Sequence, residues 1–236
     1  MIEFIRAGGW LMVPIILSSV IAMAIIIERF LSLRVSKVNP PADIEFARKM
    51  ASSGKVPEDA LNKLRGSSVV GNVLATGLAS STLPRHIMKE NVEEAGRHAA
   101  HKLERYLTAL GTIAAITPLL GLLGTVLGMI TAFSQINQAG VGDPATVAGG
   151  ISQALFTTAA GIAVAIIALI FHRYFKAKVD NYVVDMEHEA VKLIELVNRN
   201  NSKPVPGQGA APAPSAAAAA SQKIAAARAA RSGAAS

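Results

Sequence analysis

The sequence predicts an all-α integral membrane protein with three transmembrane helices, two of them extended far into the cytoplasm. Three observations carry this. Three long runs are almost free of charge: Trp10 to Leu33, Leu107 to Ile136 and Val147 to Phe171. Each exceeds or meets the roughly 20 apolar residues needed to cross a bilayer. Lysine and arginine crowd into the segment between the first two runs and into the stretch after the third. Finally, the helical pattern enters the second run and leaves the third without a strong breaker.

Composition narrows the function. Of the 236 residues, 51% are hydrophobic and none is cysteine. Disulfides, thiol catalysis and cysteine metal sites are therefore excluded. A net charge of +7 raises nucleic acid as a partner. The placement of the charges assigns them instead to membrane topology, and no nucleic-acid partner is expected.

Residues 1–9 form a short N-terminus and residues 10–34 the first span. Trp10 suits an interface, where its indole is half wet and half apolar. Pro14 falls in the first turns, where a helix tolerates it. The run is too long for a signal peptide and lacks a small-residue cleavage site, so it reads as a retained membrane helix. Glu28 and Arg29 near its far end read as interfacial anchors. Asn39-Pro40-Pro41 ends the helix. Residues 35–105 form a helical loop domain, and within it residues 42–83 read as two or three short helices broken at Ser52-Ser53-Gly54, Pro57 and Gly66-Ser67-Ser68. Val69 to Leu78 is apolar but too short to span, and belongs in a packed subdomain.

Pro84 opens a longer element. The spacing predicts one helix of about 50 residues, roughly 75 Å, from Arg85 to Ile136. Its second part holds the span at 106–137. The core of that span, TPLLGLLGTVLGMITAF from Thr117 to Phe133, carries Gly121, Gly124 and Gly128. Small residues at four-residue spacing let another helix approach closely. Pro118 should bend this helix, with Thr117 able to occupy freed carbonyls. Residues 138–146 form a turn with no Lys or Arg. The third span, 147–171, continues as a helix through 172–200. Residues 201–236 are Ala, Pro, Gly and Ser rich and read as a disordered tail. By the distribution of positive charge, the N-terminus and the 138–146 turn lie outside, and the loop domain and tail are cytoplasmic.

Between Arg105 and Asp143, and between Asp143 and His172, there is no Asp, Glu, Lys, Arg or His. Proton relays in membranes rely on titratable side chains. A chain that moves protons with these helices must borrow its acid from a partner. What the spans do hold is Thr112, Thr117, Thr125, Thr131, Ser152, Gln153, Thr157 and Thr158. Threonines can bond back to their own helix, and a glutamine can bridge two helices. Their clustering in otherwise apolar helices favours a pore lining of Thr125, Gln153, Thr157 and Thr158, since an idle buried amide costs free energy in lipid. Glu94, His98 and His101 share a helix face with metal-like spacing. Side-chain ion pairs on a solvated helix account for them, so no metal and no cofactor is expected. No nucleophile triad, phosphate loop or carboxylate pair stands out, so the chain is not expected to be an enzyme.

At TPLLGLLGTVLGMITAF, followed by GGISQALFTTAAGIAVAIIAL from Gly149 to Leu169, the chain resembles the ExbB/TolQ/MotA proton-channel family. The ERF triplet at residues 28–30, the three spans and the loop agree with its ExbB/TolQ branch. The resemblance covers about residues 5–200. It implies a pentameric ring in the inner membrane of a Gram-negative cell. Spans two and three would surround the single helices of an ExbD/TolR-like dimer, whose aspartate carries the proton. The complex would drive a TonB-like protein in outer-membrane transport. Alternatives are a TolQ-like subunit energising a TolA-like protein for outer-membrane integrity, or a non-conducting membrane scaffold. The family's GTVxG threonine falls on Thr125 and its second-motif threonine on Thr158. Where the family reads GI-x-E-AL, this chain places Gln153, which hydrogen-bonds but does not titrate.

Overall fold

The computed structural model describes residues 9–54, 56–139 and 144–201, with the side chains of 135–139, 144–146 and 201 left aside. Every regular element in this range is a helix. They are α1 (Met12–Ser32), α2 (Val35–Val38), α3 (Pro41–Ser53), α4 (Glu58–Ser67), α5 (Val69–Ala79), α6 (Arg85–Glu104), α7 (Leu107–Ala139) and α8 (Pro144–Asn201). Three of them, α1, α7 and α8, contain stretches long and apolar enough to cross a membrane. The turn expected at 138–146 and the tail expected at 201–236 fall largely outside the described residues.

Local chemistry sets the breaks before α6. Gly54 ends α3 in the left-handed conformation, φ +67°, which glycine adopts without steric cost. Pro57 stands just before α4. Ser68 caps α5, its hydroxyl accepting from the Gly71 N–H at 3.0 Å. Among the described residues the stretch expected to hold two or three short helices has three, α3, α4 and α5. The single turn α2, between Arg34 and Asn39, precedes them.

The largest departure concerns the 50-residue helix expected from Arg85 to Ile136. It is two helices, broken at Arg105 and Tyr106, where Tyr106 takes φ +66°. A non-glycine residue adopts that conformation only under outside support. Here the support comes from α1. Arg29, 4% exposed, donates from Nη1 to the Leu103 carbonyl at 3.0 Å. Its guanidinium also lies 5.4 Å from the Tyr106 ring centre. Arg105 covers the same ring at 4.7 Å. The expectation that Arg29 is an interfacial anchor is thus corrected: it is a buried cap on the end of α6. Glu28 holds it by two hydrogen bonds, at 2.5 and 2.7 Å.

Helix α8 is unbroken over 58 residues, roughly 87 Å at 1.5 Å per residue. Beyond its apolar part it buries Phe175, Val179, Tyr182, Met186, Ala190, Leu193 and Val197. This alternating three- and four-residue spacing makes one stripe along the helix. The stripe packs on the loop helices, as Leu193 against Gly77 illustrates. Fully burying one such large side chain stabilises by about 1.5–3 kcal/mol. Phe30 of α1 meets Phe175 edge-on at 5.0 Å and Phe171 at 5.7 Å.

Two polar ties join α8 to the rest. The Tyr182 hydroxyl donates to the carbonyl of Leu33, just past α1, at 3.0 Å. Replacing Tyr182 by Phe should lower stability by about 1 kcal/mol, read as a shift in the thermal midpoint of detergent-solubilised protein. The second tie is an ion pair between Arg48 of α3 and Glu189, which Lys192 also joins at 3.0 Å. Burial by itself raises the Glu189 carboxyl. The hydrogen bonds and charges of Lys192 and Arg48 outweigh it and hold the group below the usual carboxylate range. A depressed acid contributes stability that is complete above its unfolded pKa and is lost as pH falls through the folded one. Acid melting of the wild type should therefore show a loss below about pH 4.3 that is smaller in the R48A variant, which keeps the Lys192 bond.

Candidate functional site

Helices α7 and α8 meet along a seam of small residues. On α7 the buried row is Ala114, Thr117, Gly121, Gly124, Gly128 and Ala132. Facing it on α8 are Gly150, Ala154, Thr157, Gly161 and Ala165, all but Gly150 fully buried. A methyl on Gly121 would lie 2.9 Å from the Thr158 Cα. On Gly128 it would meet the Ala154 Cβ at 2.8 Å and the Gly150 carbonyl at 3.0 Å. On Gly161 it would meet the Thr117 carbonyl at 2.7 Å. The expected packing role of Gly121, Gly124 and Gly128 is thus one between helices of the same chain. Close contact of this kind is how membrane helices associate without a hydrophobic driving force between them.

The hydroxyls divide into two sets. Thr112, Thr125 and Thr131 bond back to carbonyls of their own helix, at 2.9, 2.6 and 2.9 Å. Thr117 donates to Ile113, not to Ala114, whose carbonyl Pro118 leaves free. Pro118 itself lies inside a continuous α7. Thr157 donates to Ala154 at 2.8 Å. Thr158 alone of these reaches across, donating to the Gly121 carbonyl at 2.9 Å. That carbonyl belongs to the turn leading to Thr125, since helical bonding links residue i to i+4. Thr125 and Thr158 consequently stand at one level on the pair.

Thr157 and Gln153 are elsewhere. Thr157 is 1% exposed and packs on Gly124 inside the seam. Its side chain faces α7 and not an open helix face. The reason is periodicity: Thr157 is in step with Ala154, Gly161 and Ala165, the residues that contact α7. Gln153 is half-buried, and its amide lies against Gly9 at the entry to α1. Gly9 has φ +67°, and a Cβ there would run into the Gln153 amide nitrogen. The four candidate residues therefore form a Thr125–Thr158 pair, a seam residue and an amide seated on the N-terminal backbone.

Outward from the seam, α7 shows Leu119, Leu122, Val126, Ile130 and Phe133, and α8 shows Ile162, Ile166 and Ile170. Apolar surface of this extent needs lipid or other helices to cover it. Among the described residues no group of three His, Asp or Glu gathers as metal ligands would. His98 lies 3.9 Å from Glu94, both exposed.

Two residues of the helix pair were not singled out from sequence. His172 meets the Leu107 carbonyl through Nδ1 at 2.9 Å, beside Gly111, whose missing side chain leaves room for the ring. Gly161 could have been found by the signal used for α7, because Gly150, Ala154, Gly161, Ala165 and Ala168 repeat at the spacing of one helix face.

The MotA/TolQ/ExbB proton channel family matches residues 65–188, which include α5, α6, α7 and the seam. Biopolymer transport protein ExbB-like 3 of Synechocystis sp. is 30% identical over 175 residues, covering 72% of this chain and 82% of the relative. ExbB-like 1 of the same organism is 34% identical over 187 residues, covering 72% and 68%. Biopolymer transport protein ExbB of Salmonella typhimurium is 32% identical over 122 residues, covering 47% and 50%.

Proposed function

The chain belongs to the MotA/TolQ/ExbB proton channel family, and from that premise we propose that it is the ExbB-type wall of a proton-driven motor in the inner membrane. Copies of the chain form a ring, a pentamer by family analogy. A single-span partner of the ExbD/TolR kind sits within it and supplies the carboxylate. The motor drives a TonB-like protein that acts on the outer membrane. The N-terminus lies outside and the loop helices with the lower half of α8 lie in the cytoplasm.

One observation carries this reading. The two helices bearing the matched motifs hold no titratable side chain from Leu107 to Ala139 or from Pro144 to Phe171, yet they bring Thr125 and Thr158 to one level. Their oxygens can accept from a protonated acid, and each can donate to an ionised one by releasing its bond to the Leu122 or Gly121 carbonyl, without binding the proton itself. A proton crossing 100 mV releases about 2.3 kcal/mol, and inert walls leave that energy to act on the partner. Gln153 fits the same logic, because an amide at the family's glutamate position holds no charge.

The test is T158V. Valine keeps the shape and removes the donor to Gly121. The lost interhelical bond costs about 0.6 kcal/mol, too little to unfold the pair. The complex should assemble and melt normally while proton-driven outer-membrane transport falls. Unchanged transport would count against the hydroxyl's role and favour a scaffold.

A further inference from the structure

Away from the seam, a polar hollow of about 530 Å³ opens where the α4–α5 corner meets α2 and α6. Lys37, Arg65 and Lys102 line it, with Ser67, Ser68 and Asn72, and among the described residues no carboxylate does. All three cations are exposed. Among the described residues, none of them has a carboxylate within ion-pair distance. Two acids lie nearby. Asp43 accepts from the Ser67 and Ser68 hydroxyls at 2.6 and 2.5 Å, and Glu94 faces His98 on the rim. Neither neutralises the three cations, which repel one another until an anion joins them. Helix α5 also begins here, and its N-terminal end adds partial positive charge. Gly71 keeps the corner tight, since a methyl there would meet the Leu64 carbonyl at 2.5 Å and the Ser67 hydroxyl at 2.7 Å.

The position of the hollow narrows its occupant. Lys37 lies in α2, about one turn past the end of α1 at Ser32, and Lys102 lies about one turn before the start of α7 at Leu107. Both are membrane-length helices, and these are their ends on the same side. With the bilayer laid on those apolar stretches, both lysines fall on the headgroup side of them. Val69, Ala95 and Ala99 supply an apolar wall beside the charges, and the volume exceeds what a bare phosphate fills. We propose that this hollow seats the phosphate of an anionic phospholipid from the leaflet that α1 exits and α7 enters. The site goes beyond the motor reading and stands or falls independently of it, because its test measures lipid and not transport.

Full-length protein is extracted in mild detergent and exposed to mixed micelles of phosphatidylglycerol or phosphatidylcholine, and bound lipid per chain is counted by native mass spectrometry. The variant K37Q/R65Q/K102Q removes the hollow's cations. The variant K49Q/K63Q/R85Q removes equal charge from exposed positions outside it. Wild type and the second variant should retain phosphatidylglycerol over phosphatidylcholine. The first should bind it at least about tenfold more weakly, each cation near an anionic surface being worth a factor of roughly five. K102Q alone should show a partial loss, which keeps the test open should the triple variant fold poorly. Equal retention by the two triple variants overturns the site. Melting that rises with inorganic phosphate in wild type only, with no phosphatidylglycerol retained, would keep the phosphate chemistry and overturn the lipid as its source.

Discussion

G161V should leave no stably folded α7–α8 pair. A Cβ at Gly161 would stand 2.7 Å from the Thr117 carbonyl oxygen and 3.2 Å from the Gly121 Cα. Both are backbone, so no rotamer change makes room. The helices must separate, and the neighbouring contacts at Gly121, Gly124 and Gly128 loosen with them. Overpacking alone costs about 1–3 kcal/mol and occasionally more. The Thr158–Gly121 bond is lost as well. A total near or above 3 kcal/mol is expected, from that range together with the lost packing. It would be read as a collapse of monodisperse protein after extraction and a large drop in melting temperature. G149A is the control: among the described residues no side chain or neighbouring helix lies within 4 Å of a methyl at that position, and it should behave as wild type. Equal behaviour of the two variants would show that the seam is not a close contact.

R29M should be the second most damaging change. It removes a charged hydrogen bond to Leu103, worth about 1.5–3 kcal/mol. It also removes a cation from the Tyr106 ring, worth roughly 0.5–2 kcal/mol. With both gone, nothing from α1 favours a left-handed Tyr106, and α6 can run on into α7 as one helix. Amide exchange at residues 103–107 is the specific readout. Exchange should slow if the helices fuse and accelerate if the junction frays, and either change comes with a lower melting point. R29K should not restore the wild-type pattern, because an ammonium lacks the planar fork that engages Glu28 and Leu103 together. Wild-type exchange in R29M would mean that the elbow forms without the cap.

The three spans, the uninterrupted α8 and the small-residue stripe of α7 are written in hydrophobic period and in the absence of breakers. Such signals are local and add up along the chain. The break at Tyr106 is not local. It depends on Arg29, far away in sequence, and Arg105-Tyr106 contains no glycine or proline to mark it. The site was legible in type and only partly in place. Thr125 and Thr158 could be matched by motif. Which of Thr157 and Thr158 faces the seam depends on the register with α7, set by Gly121 and Gly161 jointly. The seat of Gln153 depends on how the chain enters α1 at Gly9. Composition read the charges of Lys37, Arg65 and Lys102 as topology, and only packing gathers them around one hollow.

The account turns on membrane helices that hold no proton of their own. Its most direct test is proton flux into pH-indicator-loaded proteoliposomes under an applied potential, with this chain alone and with a co-purified single-span partner bearing a membrane carboxylate. Vesicles with the chain alone should be as tight as empty ones, and flux should appear only with the partner and vanish when its carboxylate becomes an amide. Steady proton entry through the chain by itself would contradict the account.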